Sequence, residues 1–134
     1  MADTFVLGLD EIQPSQLYLS EAKVAAVRTG SRPLAPLPVK RLGGRVVLTD
    51  GHTRAFVAWR SGQRQIEVHW DGDDLDWEAY EVCVAWCRAE GIRTVADLTG
   101  RIVPPEEYEV VWLQRCARMQ RRLAATRREE QRQA

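Results

Sequence analysis

Between Arg45 and Trp59 the chain reads RVVLTDGHTRAFVAW: an apolar segment with strand character, an abrupt Asp50-Gly51 break, and the triplet His52-Thr53-Arg54 opening a second apolar segment. A glycine at such a break takes backbone angles that other residues resist, and its bare Cα lets a ligand approach the main chain. If a helix starts near Thr53, its first amides have no partners within the helix and point outward at the positive end of its dipole. That arrangement takes anions. Arg54 would add a planar, bidentate charge and Thr53 a hydroxyl. The same residues also fit a plain turn, because Asp-Gly is a strong hairpin signal and threonine a common helix cap.

The segment resembles the phosphate-binding motif of the ParB/sulfiredoxin superfamily, a Gly-x-x-Arg core between a strand and a helix. ParB partition proteins carry Gly-Glu-Arg-Arg there and bind CTP; this chain keeps Gly51 and Arg54 around His52-Thr53. Sulfiredoxins carry Gly-Cys-His-Arg and need the cysteine, whose place is taken here by His52, so sulfiredoxin chemistry is not expected. The free serine kinases of the superfamily carry Asp-Gly-His-His-Arg, and Asp50-Gly51-His52-Thr53-Arg54 departs from it at Thr53 alone. Asp10-Glu11-Ile12-Gln13-Pro14 is similar to the "x-x-Ile-x-Pro" turn that opens the superfamily domain.

The resemblance implies an α+β domain with a small mixed sheet and packed helices, to which the pattern of the later residues adds a helical C-terminal extension. It implies a nucleotide (ATP, ADP or CTP, with Mg) or another phosphorylated small molecule as ligand. In the kinase version Asp50 holds magnesium or activates the acceptor, amides from Gly51 to Arg54 cradle the phosphates, and His52 and Arg54 stabilise transferred charge. The serine kinases place a catalytic Glu after the proline; here Ser15-Gln16 stand there, and Glu21 is the next carboxylate. Gln16 cannot act as a general base, so Glu21 or Asp50 takes that role or the kinase reaction is not performed. Gln16 and Thr53 thus favour the alternative, a non-catalytic regulatory or DNA-associated module. The resemblance ends near Trp70.

A chain of 134 residues with 45% apolar content suits one domain: residues 1–72 as the core carrying the motif, and residues 73–134 as a helical part packed on it. Nineteen basic and nineteen acidic side chains cancel, so no global charge draws the chain to nucleic acid or to an anionic membrane. No apolar run approaches the roughly 20 residues that span a bilayer, and no signal peptide opens the chain, so a cytoplasmic location is expected. Cys83, Cys87 and Cys116 form no disulfide framework. Cys83 and Cys87 lie one helical turn apart, where a shared metal competes with plain apolar burial.

Along the rest of the chain, Thr4–Leu9 reads as a strand, and Ser15 or Ser20 as the cap of a first helix with Leu17, Leu19, Val24 and Val27 on its apolar face. Thr29–Pro38 is a Gly/Ser/Pro loop. Leu37–Leu42 and Arg45–Thr49 flank the hairpin signal Gly43-Gly44. Gln65–Trp70 alternates as the last strand, with Ile66, Val68 and Trp70 inward and Glu67 and His69 outward. The acidic loop Asp71–Asp76 reads as a cap with solvated charge, and Gln16, Asp74 and Trp77 are assigned to a substrate pocket on the motif's rim.

From Trp77 to Glu90 a helix docks Trp77, Tyr80, Val84 and Cys87 on the sheet, and Gly91 ends it. Thr94–Leu98 reads as a short helix, Thr99-Gly100 as a turn, and Pro104-Pro105-Glu106-Glu107 as the start of a last helix. Its buried stripe is Tyr108, Trp112, Cys116, Met119 and Leu123. The seven arginines from Arg115 to Arg132 could meet nucleic-acid phosphates, but no aromatic residue interleaves with them, and a charged helix end is the favoured reading.

Overall fold

Two successive glycines set the sheet. Gly43 and Gly44, at φ 57° and 78°, make a tight turn whose twist matches that of the flanking strands, β3 (Leu37–Leu42) and β4 (Arg45–Leu48). The computed structural model describes residues 3–29 and 34–134, so the central part of the proposed Thr29–Pro38 loop lies outside the described residues. β1 (Thr4–Gly8) and β5 (Gln65–Trp70) complete a four-stranded mixed sheet of order β1-β5-β3-β4, parallel only between β3 and β5. The outer edge of β4 is engaged by the opening turn: Gln13 N–H donates to Val46 O at 2.8 Å and Leu48 N–H to Gln13 O at 2.9 Å.

This arrangement brings the ends of β4 and β5 to the same rim. Asp71 N–H donates to Val39 O (2.8 Å), Thr49 N–H to Pro38 O (3.1 Å), and the Thr49 hydroxyl to the Asp71 carboxylate (2.7 Å). After Thr49 the chain turns directly into helix α2 (His52–Arg60), so the helix and not the hairpin follows Asp50-Gly51. Helix α1 (Glu21–Thr29) precedes the sheet's central hairpin, and Leu19–Ser20 just before it form a short strand, β2. Ser15 caps nothing; it is buried, and its hydroxyl donates to Leu48 O at 2.7 Å.

Helix α3 (Trp77–Ala89) starts where the acidic loop provides a cap, with Asp76 accepting from Ala79 N–H. Asp76→Ala should cost about 1 kcal/mol, seen as a lower urea midpoint with an unchanged slope. The buried face of α3 is Ala79, Cys83, Val84 and Cys87, while Trp77 and Tyr80 are half-buried at the sheet's rim. There Lys40 lies over the Trp77 ring (4.7 Å to its centroid) and the Tyr80 hydroxyl donates to Thr49 O (3.1 Å).

Leu17 and Leu19 precede α1 and so lie outside its apolar face, and four further expectations need correction. Gln65–Trp70 is not the last strand: β6 (Ile102–Val103) pairs in parallel with β2, and two residues are too few to register as a pattern. Trp70 is 48% exposed, because it stands at the strand's end, with ring contacts to Phe5 (5.0 Å) and Arg41 (5.7 Å). Thr99-Gly100 lies inside a 3-10 helix, Val95–Arg101, that opens on a Thr94/Asp97 capping box. The last helix is interrupted: α4 (Pro105–Tyr108) passes through a π-helical segment, Glu109–Gln114, before α5 (Arg115–Gln133). Tyr108, Trp112 and Cys116 are spaced by four, and successive fours drift around an ordinary helix; the wider turn keeps them on one side.

Tyr108, Trp112 and Met119 are buried in the same hydrophobic cluster as Leu9, Phe56 and Val68. The arginine-rich end is tied back at Arg127, whose guanidinium meets Asp76 (2.9 Å) and Glu78 (2.6 Å). Among the described residues, no helix is long and apolar enough to cross a membrane.

Candidate functional site

Gly51 is the N-terminal boundary residue of α2 and has left-handed backbone angles, φ 80° and ψ 25°. A side chain there would have no room: an added Cβ would stand 2.7 Å from Leu37 Cδ2 and 3.0 Å from Arg54 Nη2. The second distance means that the Arg54 guanidinium folds back over the glycine and does not extend into solvent. Gly51 N–H donates to Asp50 Oδ1 (2.8 Å), and the first helical bond runs from Ala55 N–H to Gly51 O (2.9 Å). The amides of His52, Thr53 and Arg54 therefore precede the first residue with an intrahelical acceptor, at the positive end of the helix.

A cavity of about 330 Å³ opens at this helix end. Asp50, Gly51, His52, Thr53, Arg54 and Gln16 all line it, so six residues singled out in the sequence meet in one place. Lys23 of α1 and Tyr108 of α4 also line it, and neither is marked as a site residue by the sequence. No local signal distinguishes them, since both reach the cavity through tertiary packing. The Lys23 ammonium lies 5.0 Å from the centroid of the Tyr108 ring. With Arg54 and Lys23 against Asp50, the charged lining is cationic on balance.

His52 has a different setting from the one its motif position implies. It is buried, and its Nε2 accepts Ser15 N–H at 2.9 Å. Burial lowers its pKa from 6.5 to about 4, against the opposing pull of the Asp50 carboxylate. The ring is neutral at pH 7 with its proton on Nδ1, and it fastens the first turn of α2 to the segment after Pro14.

Glu21 is exposed at the first residue of α1, Asp74 is exposed in the acidic loop, and Trp77 is half-buried under Lys40; none of the three lines this cavity. The acidic loop does shape a second, larger cavity, of about 680 Å³. Its walls include Thr49, His69, Asp71, Asp73 and Tyr80, and Asp50 belongs to both cavities. Asp71 is buried, with its carboxylate accepting from the Thr49 hydroxyl and from Asp73 N–H (2.9 Å). The His69 ring is held against Trp70 O at 3.1 Å.

No protein-family model matches the sequence, and no curated protein matches it. Solved structures do match. Protein Atu1540 from Agrobacterium tumefaciens shares this fold, with a TM-score of 0.51 at 13% identity over 72% of this chain and 61% of that one. Two further structures overlap less closely. The C-terminally truncated chromosome-partitioning protein ParB from Caulobacter crescentus, complexed with CTP-gamma-S, overlaps at a TM-score of 0.43 and 15% identity, over 63% of this chain and 52% of that one. A Pnob8-like ParB-N domain overlaps at 0.41 and 18%, over 94% and 50%. This chain thus spans about half to three-fifths of the length of the proteins it matches. Only the first overlap is close enough to speak to the fold, and at its identity it speaks to nothing else.

Proposed function

We propose that the chain binds a phosphorylated small molecule, a nucleotide among the candidates, with its phosphates in the cavity at the start of α2. The observation that carries this reading is the glycine turn beneath a folded-back arginine: Gly51 tolerates no Cβ, and Arg54 lies over it beside three first-turn amides. At about 330 Å³ the cavity is at the small end for ligand sites, so it suits phosphate groups, with the rest of a nucleotide lying outside.

A second reading, phosphoryl transfer, is favoured by the place of Asp50 on the walls of both cavities. A donor phosphate on one side and a small hydroxyl acceptor in the larger cavity would meet at this carboxylate. One Asp50 oxygen is held by Gly51 N–H, and among the described residues the other has no hydrogen-bond donor. Among the described residues no group of three or more His, Cys, Asp or Glu side chains is arranged to hold a metal. A magnesium ion, which often takes one or two carboxylates plus phosphate oxygens, fits Asp50 on those terms and would supply charge neutralisation. In this reading Asp50 orients the acceptor, Arg54 and the amides hold the donor's phosphates, and the buried neutral His52 positions the helix. Glu21, exposed and outside the cavity, is set aside as the base.

The test is a thermal-shift panel of ATP, ADP, CTP and GTP with magnesium. A ligand at 100 times its dissociation constant adds about 2.7 kcal/mol to stability. Arg54→Ala should abolish that shift while leaving the melting temperature of the free protein nearly unchanged; an equal shift in both proteins would remove the site from this loop. Phosphorylated product formed from a hydroxyl acceptor separates the transferase from a module that binds without turnover.

A further inference from the structure

Resting on that reading of the cavity, we propose that Tyr108, with Lys23 stacked on its ring, contacts the bound phosphate directly, so that the C-terminal part of the chain completes the anion site. The hydrogen bonds around Gln16 lead to this. Gln16 Nε2 carries two hydrogens, and the side chain's orientation is fixed because one of its partners, Tyr18 O at 2.8 Å, can only accept. The second hydrogen goes to the Tyr108 hydroxyl at 3.1 Å, which therefore accepts there. The phenol's own proton must be directed elsewhere, and among the described residues no protein group accepts it.

Tyr108 is only 6% exposed, yet it lines the cavity. A buried hydroxyl whose proton lacks an acceptor among the described residues, at the wall of an open cavity, is a donor held ready for a ligand. Burial, with the Cys116 thiol nearby, raises its pKa above the ordinary phenol value, so at neutral pH it keeps that proton. Gln16, which a kinase would replace by a base, thus acquires a different role, that of holding the phenol in place. Lys23, kept over the ring, adds charge at the same wall. A ligand gripped by the amides and Arg54 from α2, and by Tyr108 and Lys23 from α4 and α1, offers more oxygens than one contact point needs, which favours a diphosphate unit.

Titration of the full chain with inorganic pyrophosphate, followed by calorimetry, tests this. Tyr108→Phe keeps the ring beneath Lys23 and removes only the hydroxyl; it should weaken binding about tenfold or more, with an unchanged fold by circular dichroism. Lys23→Gln should weaken it as well, and more at low salt than at high salt. Unchanged pyrophosphate affinity in Tyr108→Phe, in a protein whose Arg54→Ala variant has lost binding, overturns this inference and leaves the proposed function standing. A wild-type protein that does not bind pyrophosphate overturns the inference, while the nucleotide panel decides the proposed function separately. A lower melting temperature of free Tyr108→Phe with unchanged affinity assigns the residue to structure alone and equally overturns the inference.

Discussion

Gly51→Ala should destabilise the chain by about 2–5 kcal/mol and remove the anion site in the same step. Two costs combine. A residue with a Cβ held at φ 80° pays about 1–2 kcal/mol for the left-handed conformation. The new methyl would also stand 2.7 Å from Leu37 Cδ2, and Leu37 is fully buried in the centre of the sheet, so it cannot yield without disturbing β3. Overpacking of this kind costs about 1–3 kcal/mol. The contact with Arg54, at 3.0 Å, is cheaper because a guanidinium can swing away, but that movement takes the charge out of the cavity. Gly44 supplies the control: it has nearly the same φ, 78°, and an added Cβ meets nothing within 4 Å, so Gly44→Ala should show the conformational cost alone. Urea unfolding of both variants separates the terms. A Gly51→Ala protein no less stable than Gly44→Ala would mean that Leu37 does not press on the turn.

The features legible in the sequence are those written in neighbouring residues. Gly43-Gly44 specified its hairpin, Gln65–Trp70 its strand, Asp76 its cap, and Pro105 the start of α4, because each depends on backbone chemistry within a few residues. At Asp50-Gly51 local chemistry fits a plain turn as well as a helix start, and tertiary packing decides: Ala55 and Phe56 of α2 are fully buried, which a plain hairpin would leave unexplained. Features that depend on distant partners were not legible. Tyr108 reads as one apolar position in a helical stripe, and its polar end acquires meaning only where Gln16 reaches it. Asp71 reads as solvated charge in an acidic loop, yet it is buried and ties that loop to Thr49. Glu21 and Asp74 have suitable chemistry for a site, but chemistry does not carry information about which way a helix start or a loop faces.

Acid should loosen this protein through one side chain. His52 is 4% exposed and is held neutral by burial, with a pKa near 4 in the folded chain against 6.5 when unfolded. Between those values the unfolded chain binds the proton and the folded chain does not, so stability rises with pH across this window. The contribution is fully present above pH 6.5 and is lost as pH falls towards 4. At about 1.4 kcal/mol for each tenfold difference, some 2–3 kcal/mol disappears between pH 7 and 4.5. Protonation also has a local consequence, since an imidazolium has no lone pair for Ser15 N–H, and two donors would then face each other at 2.9 Å at the positive end of α2. The anion site should therefore fail in acid before the sheet does. Carboxylates titrate in part of the same window, so the measurement is a difference. His52→Gln keeps a side-chain acceptor for Ser15 without a titrating ring, and its urea stability should fall about 2–3 kcal/mol less than the wild type's from pH 7 to 4.5. If the two proteins lose stability in parallel, the imidazole is not the buried neutral acceptor that fastens the helix.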